Sequence, residues 1–338
     1  MQIIDIPGMI RPPDHSFLDP PETPGNEVDS SPPRPGFPVL NSEFRHSGWA
    51  SARRRVFDAM CDRVGVTDWK RLERFASCGT GHWLLAHKRE PHRYRITSSV
   101  CHSRWCVPCS RARSQVIATN TVAALQGKSA RLLTLTLRTT SQPLTHVLDR
   151  LVTSFKKLRR TPAWKEHVTG ALSFLEVTIN PQTRGWHAHY HIIATGKYWS
   201  KGALAASWLA VTEDSYIVDV RFIRDAQHVA HYVTSYVTKP INQSAIADPT
   251  ILAEAIAALH GRKLVLALGA FRKLRLTANP NPQEWRPVDW IGPVLLSELQ
   301  FSDDPYNRLL HQAILDALAG RTDDDFCLRP PKSKEPDP

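Results

Sequence analysis

No apolar run in the sequence comes near the roughly 18 residues that a membrane-crossing helix needs, so no membrane span is expected. The opening stretch, "MQIIDIPGMIRPPDHSF", lacks a basic start and a continuous apolar core, which argues against a secretory leader and for the cytoplasm. No internal repeat is present. Acidic residues are too few to balance the basic ones: 32 Asp and Glu against 43 Lys and Arg, a formal charge of +11. A field of that sign attracts polyanions, nucleic acid first among them, although a generic basic surface has the same composition. Cysteine is sparse, six in 338 residues, yet Cys78, Cys101, Cys106 and Cys109 fall within 32 residues of one another. In a cytoplasmic chain such clustering points to metal rather than disulfides. Cys61 and Cys327 stand apart.

Residues 1–44 are rich in Pro, Ser, Asp and Gly and cannot bury enough apolar surface to offset the entropy of ordering; the tail "TDDDFCLRPPKSKEPDP" reads the same way. Between them, "SARRRVFDAMCDRV" and "SRARSQVIATNTVAAL" have helical spacing. "ARLLTLTLRTT" alternates, with Leu133, Leu135 and Leu137 on one face and Thr134 and Thr136 on the other. A helical stretch, a strand "ALSFLEVTIN", a turn "PQTRG" and a strand "WHAHYHIIAT" follow. A short helix, the strand "YIVDVRFI" and the helix "DAQHVAHYVTSYVTK" complete the run, with Asp225 as its N-cap and Pro240 as its stop. The short turn makes its two strands an antiparallel hairpin. The expected fold class is α+β: a mostly antiparallel central sheet with helices packed on one face. Residues 251–280 are expected to add a helix and basic segments.

The strand "WHAHYHIIAT" carries His187, His189 and His191 at alternate positions, so all three project to one face. The hairpin brings Glu176 of the partner strand near them, because Leu175, Val177 and Ile179 claim the other face. Two imidazoles and a carboxylate would leave open positions on a divalent ion able to polarise a phosphate oxygen, which suits Mg²⁺ or Mn²⁺. The bland alternative is a strand of half-buried histidines.

Within "HYVTSYVTKP", Tyr232 and Tyr236 are four residues apart and share a helix face with His228 and Lys239, while Val229, Val233 and Val237 form the neighbouring stripe that packs on the sheet. A tyrosine oxygen can attack phosphorus and keep the phosphoryl group as an ester, conserving the bond's energy so that no ATP is needed. Lys239 would ease that attack. Such a tyrosine pair by itself more often extends an apolar face.

The segments "WHAHYHII" and "YVTSYVTK", preceded by "LLTLTLRTT", resemble in this order the motifs of the HUH endonuclease superfamily, in particular the rolling-circle replication initiators of small plasmids and phages. The likeness spans residues 74–275. It implies a metal on His189 and His191, for which Glu176 is the expected third ligand, with Thr134 and Thr136 lining the site; His187 is either a further ligand or a supporting or DNA-contacting group at the strand's start, and Tyr232, Tyr236 and Lys239 are the catalytic group. Plasmid members often have Pro where this chain has Ala188, and single-tyrosine members carry Glu where it has Tyr232; in that respect it is more similar to the two-tyrosine phage initiators and related transposases. The resemblance implies that one tyrosine nicks a strand at an origin, single-stranded or hairpin, leaving a 3′-hydroxyl for a polymerase while the protein stays on the 5′-phosphate. The second tyrosine would later cleave the regenerated site and seal the displaced circle. A host helicase and polymerase are the implied partners, and no membrane is.

"SCGTGHW…SSVCHSRWCVPCSRARS" gives Cys78-x22-Cys101-x4-Cys106-x2-Cys109, a spacing that fits a structural tetrahedral Zn²⁺, with His82 or His102 able to replace a thiol. Arg104, Trp105, Arg111 and Arg113 beside the knuckle suit phosphate contact and base stacking. The basic runs at 156–160, 261–263 and 271–276 are candidates for a DNA channel. The expected organisation is a disordered N-terminus (1–44), a helical zinc-binding segment (45–128), a nicking domain of HUH type (129–280), a C-terminal helical extension (281–320) and a disordered tail (321–338). The leading expectation is a metal-dependent rolling-circle initiator; a transposase of the same chemistry and a non-catalytic zinc-containing DNA-binding regulator are the alternatives.

Overall fold

The computed structural model describes residues 48–62, 69–180, 183–225, 229, 233, 246–278, 284–319 and 325–328. In chain order its elements are α1 (Ala50–Cys61), α2 (Trp69–Ala76), β1 (His82–His87), β2 (Arg93–Ser98), α3 (Val107–Leu125), β3 (Ala130–Thr136), α4 (Leu144–Leu158), α5 (Pro162–His167) and β4 (Gly170–Ile179). They continue with β5 (Trp186–Thr195), α6 (Lys201–Thr212), β6 (Val218–Ile223), α7 (Pro249–Ala258), β7 (Val265–Gly269), β8 (Trp285–Trp290), α8 (Pro293–Gln300), α9 (Pro305–Leu318) and β9 (Asp325–Cys327). Side-chain caps start several helices: Thr161 accepts from Trp164 N, Ser200 from Ala203 N, Asp248 from Thr250 N and Ile251 N, and Asp304 from Tyr306 N. Three of these caps precede a proline, whose missing N–H is no loss at a helix start. The fold class is α+β, as the alternation of patterns predicts. No helix among the described residues is long and apolar enough to cross a membrane.

The described residues group into two units, one holding 51–62 and 102–278, the other 69–101 and 284–328. The first is built on a five-stranded antiparallel sheet of order β6-β3-β5-β4-β7. β5 is its central strand and β4 its hairpin partner, with Glu176 opposite His189 and Phe174 opposite His191. Alternation sorts the residues. Leu133, Leu135, Leu175, Val177, Tyr190 and Ile192 form one face and Thr134, Thr136, Phe174, Glu176, His189 and His191 the other.

Helices cover both faces, a correction to the expectation of one. On the more apolar face, which carries Ser173 and Arg131 among its aliphatic residues, lies α4, its Phe155 ring 4.5 Å from that of Tyr190. The other face is apolar only at one end, where Leu132, Leu172, Phe174 and Ile193 gather. There α3 lays down Ile117, Ala118 and Leu125, joined by Val229 and Val233. Each helix has gone where apolar sheet surface needed burial. Residues 265–269, read as part of a helical and basic stretch, form the edge strand β7. A five-residue apolar run has no period that separates strand from helix. At the end of β5, Gly196 has φ +136, and a Cβ there would lie 2.2 Å from the His167 carbonyl oxygen, so only glycine fits.

The second unit carries a four-stranded sheet of order β8-β1-β2-β9. Leu84 and Ile96 of this sheet pack with Ile291, Leu299, Leu310 and Ile314 from and beside α8 and α9. Asp325, within the stretch whose composition reads as a tail, binds Arg93 at 2.9 Å and Arg95 at 2.6 Å and stitches β9 to β2. Those hydrogen bonds and charges overcome the upward push of burial and hold the Asp325 carboxyl below its usual range.

Candidate metal centre

Three side chains meet over the middle of the first unit's sheet. Paired residues on adjacent antiparallel strands point to the same side. Register therefore aligns Thr136, His189 and Glu176 in one row and Thr134, His191 and Phe174 in the next. His189 Nε2 lies 2.7 Å from Glu176 Oε2, and His191 Nε2 lies 2.8 Å from the same oxygen. The two imidazoles stand edge to face with centroids 4.7 Å apart. Both histidines are buried and Glu176 is half-buried. Thr134 Oγ1 sits 3.3 Å from His191 Nδ1 and fixes the plane of that ring from behind. The Nδ1 of His189 is buried and has no hydrogen-bond partner among the described residues, so that ring is oriented by its Nε2 side and by packing.

The electrostatics match the geometry. Burial pushes the Glu176 carboxyl up, but hydrogen bonds from His189 and His191, and their proximity as cations, outweigh it and hold the group at about 2. Burial lowers His191, and burial together with neighbouring His189 lowers His187. A deprotonated Glu176 carboxylate beside a His191 imidazole whose charged form burial disfavours suits electron-pair donation to a cation. Their ligand atoms lie within 4.8 Å of one another, and two imidazole nitrogens with one carboxylate oxygen fit a divalent ion with further positions left open. His187 stands beside His189, ring centroids 5.2 Å apart, outside this convergent set.

Two groups on this face went unnoticed in the sequence. Asp219 of β6 pairs with Thr134 in register and Arg221 with Leu132, and Arg221 Nε binds Asp219 Oδ2 at 2.5 Å. Alternation in "VDVRFI" would have found both. Tyr190, by contrast, sits between the two ligand histidines in sequence but points to the opposite face. It is 1 % exposed, and its burial on that face, which raises the phenol to about 12, keeps it from the triad.

Tyr232, Tyr236, Lys239 and His228 lie outside the described residues. Of the valine stripe expected to pack on the sheet, Val229 and Val233 are helical and buried, in the cluster with Leu132, Leu172, Phe174 and Ile193 on the triad's face.

The cysteines form two buried pairs. In the first unit Cys106 is the N-cap of α3 and Cys109 lies in its first turn, their sulfurs within 4.8 Å. In the second unit, Gly79 N donates to Ser99 O and Ser99 N to Gly81 O, both at 2.8 Å. This ties the chain after Cys78 to the chain before Cys101 and sets their sulfurs within 4.8 Å. A thiol pair so spaced suits a thiophilic ion such as Zn²⁺. Of the basic runs, 156–160 closes α4 on the sheet face opposite the triad, whereas Arg262, Lys263 and Arg275 border a single cavity on the triad's side.

Residues 93–292 match the family described as Replication protein, well over half of the 338-residue chain. The protein therefore belongs to the Replication protein family. Among its relatives is "Protein rep" of Bacillus amyloliquefaciens, 25% identical over 201 residues, which covers 54% of this chain and 58% of that protein. A second "Protein rep", from a Bacillus species, is 24% identical over 187 residues, 51% of this chain and 60% of the relative. The chain thus spans about three-fifths of the length of these relatives. No solved structure matches it.

Proposed function

We propose that this protein starts replication by cutting one DNA strand at an origin, in a divalent-metal-dependent transesterification that leaves the protein on the 5′-phosphate. The observation that carries the reading is the meeting of Glu176, His189 and His191 on one carboxylate oxygen, on the central strands of a replication-protein sheet. These three residues would hold a Mg²⁺ or Mn²⁺ ion, whose positive charge would stabilise the charge that develops on the phosphate. Thr134 keeps His191 in its ligating orientation. Tyr232 or Tyr236 supplies the nucleophile: its oxygen forms a bond to phosphorus as the bond from phosphorus to the 3′-oxygen breaks. The proton given up by the phenol is matched by the one taken up by the 3′-oxygen, which leaves as a hydroxyl, and Lys239 offers a cation to the phosphate. Val229 and Val233, buried on the triad's side of the sheet, bracket Tyr232 in the sequence and precede Tyr236, and in this they support the assignment. Two tyrosines allow one cut to open a round and a second to close it. Such a product suits rolling-circle replication.

The test is an oligonucleotide carrying the cognate origin, incubated with the protein in Mn²⁺. A free 3′-hydroxyl fragment and a protein-linked 5′ fragment are expected with Mn²⁺ and neither with EDTA. Tight binding without cleavage in any divalent ion would instead make the protein a DNA-binding regulator.

We further propose that Cys78, Cys101, Cys106 and Cys109 together hold one structural Zn²⁺, the two buried pairs being joined by only residues 102–105. Metal analysis should find one zinc per chain, retained by a Cys327→Ser variant and lost on Cys106→Ser with Cys109→Ser. Zinc-free protein that folds normally would refute the site.

A further inference from the structure

Beside the triad lies a cavity of about 590 Å³, lined wholly by residues of the first unit, that none of the chemistry above uses. Its floor is apolar: Phe174, Val265, Ala267, Leu274 and Leu276. Its rim is cationic: Arg104, Arg113, Arg262, Lys263 and Arg275, with no Asp or Glu among the lining residues. Two of these guanidiniums are structural. Arg104 donates to the carbonyls of Leu259 and Arg262, and Arg262 pairs with Asp149 at 2.8 Å. The other three, Arg113, Lys263 and Arg275, are exposed and have no carboxylate partner among the described residues. Leu274 is 39 % exposed and Val265 and Ala267 are half-buried, so these three offer reachable apolar surface, while Phe174 and Leu276 lie buried beneath them.

Position relates the cavity to the triad. Phe174 belongs to its floor, faces His191 across the β4–β5 ladder, and lies two residues from Glu176 on the same strand face. That is about 7 Å along a strand. A strand of DNA whose phosphate sits at the triad can therefore place a neighbouring nucleotide in the cavity.

We infer that this cavity is a nucleotide-binding subsite for single-stranded DNA, taking an unstacked base against the apolar floor and its flanking phosphates on Arg113, Lys263 and Arg275. The inference deepens the nicking reading and rests on it for the role of the bound strand, while the binding itself stands apart. Bases seat on apolar side chains and phosphates on Arg and Lys in sequence-tolerant single-strand sites, and a cavity of this size is ordinary for a ligand as large as one nucleotide. A duplex keeps its bases stacked and cannot use the floor.

The test uses the full chain and a fluorescein-labelled 20-nucleotide oligothymidine. Combined Arg113→Ala, Lys263→Ala and Arg275→Ala should weaken binding at least about tenfold and lower the log–log salt slope by about 2, three phosphate contacts being lost. Ala267→Phe, which fills the floor without changing charge, should weaken binding of the single strand more than that of a duplex of the same length. Lys165→Ala, at the exposed end of α5, should bind like wild type. If the triple variant binds with wild-type affinity and slope, the subsite is refuted while the nicking reading is untouched. If wild type fails to nick but the triple variant still loses oligothymidine, the nicking reading falls and the subsite stands. Competition by free thymidine triphosphate at micromolar concentration would reassign the cavity to a free nucleotide and overturn the proposal.

Discussion

Phenylalanine at both Tyr232 and Tyr236 is expected to abolish the covalent protein–DNA adduct, lowering its rate of formation by at least about a thousandfold. The substitution keeps each ring and removes only the oxygen that would bond to phosphorus. Water is a poor substitute there, because a hydrolysed end conserves no bond energy for later rejoining. Each single variant should still form an adduct, since the remaining phenol serves the first cut, but should fail to release a sealed circle. Denaturing electrophoresis of the protein after reaction with labelled origin DNA separates these outcomes. An adduct that persists in the double variant would show that the nucleophile lies elsewhere.

Glu176→Gln is the second large effect. The amide keeps the shape of the carboxylate and an acceptor for one imidazole, but it removes the negative charge that burial opposes and that the two histidines stabilise. The loss of a charged ligand should weaken Mn²⁺ binding and slow nicking by about 10²–10³-fold, equivalent to roughly 3–4 kcal/mol of transition-state stabilisation. The fold should survive, because an ionised group at a half-buried site is exchanged for a neutral one of equal volume. His189→Ala and His191→Ala should act in the same direction. Nicking by Glu176→Gln at the wild-type rate with unchanged Mn²⁺ half-saturation would rule out a ligand role.

Much of this centre was legible in the sequence because strand geometry is rigid. A period of two sets His187, His189 and His191 on one face, and a hairpin with a short turn leaves little choice of partner for Glu176. Preferring His189 and His191 to His187 rests on the His-hydrophobe-His resemblance; the register leaves His187 and His191 equally one step from the Glu176–His189 pair, and the side chains decide, His191 Nε2 lying 2.8 Å from Glu176 Oε2. The helices' division between two sheet faces was not legible, because alternation marks apolar positions without saying what covers them. The strand β1 was not legible because "HWLLAH" is a short continuous apolar run with no period of two, and its partner β2 is only six residues long. The cavity escaped for a deeper reason. Its cations come from the start of α3, the turn before β7 and the chain after it, and Phe174 reads only as an apolar strand residue. No local pattern joins residues so far apart. Tyr232 and Tyr236, with Lys239, keep the assignment their spacing gave them, as a proposal.

The account turns on the triad and the tyrosine segment serving the same phosphate. Digesting the Mn²⁺-dependent adduct with nuclease and then trypsin, and sequencing the modified peptide by mass spectrometry, tests this most directly. Trypsin spares the Lys239–Pro240 bond, so residues 225–262 are recovered as one peptide. The predicted result is a nucleotide 5′-phosphate on Tyr232 or Tyr236 within it, absent when EDTA replaces the metal. A nucleotide on any other residue, or on either tyrosine regardless of metal, would contradict the account.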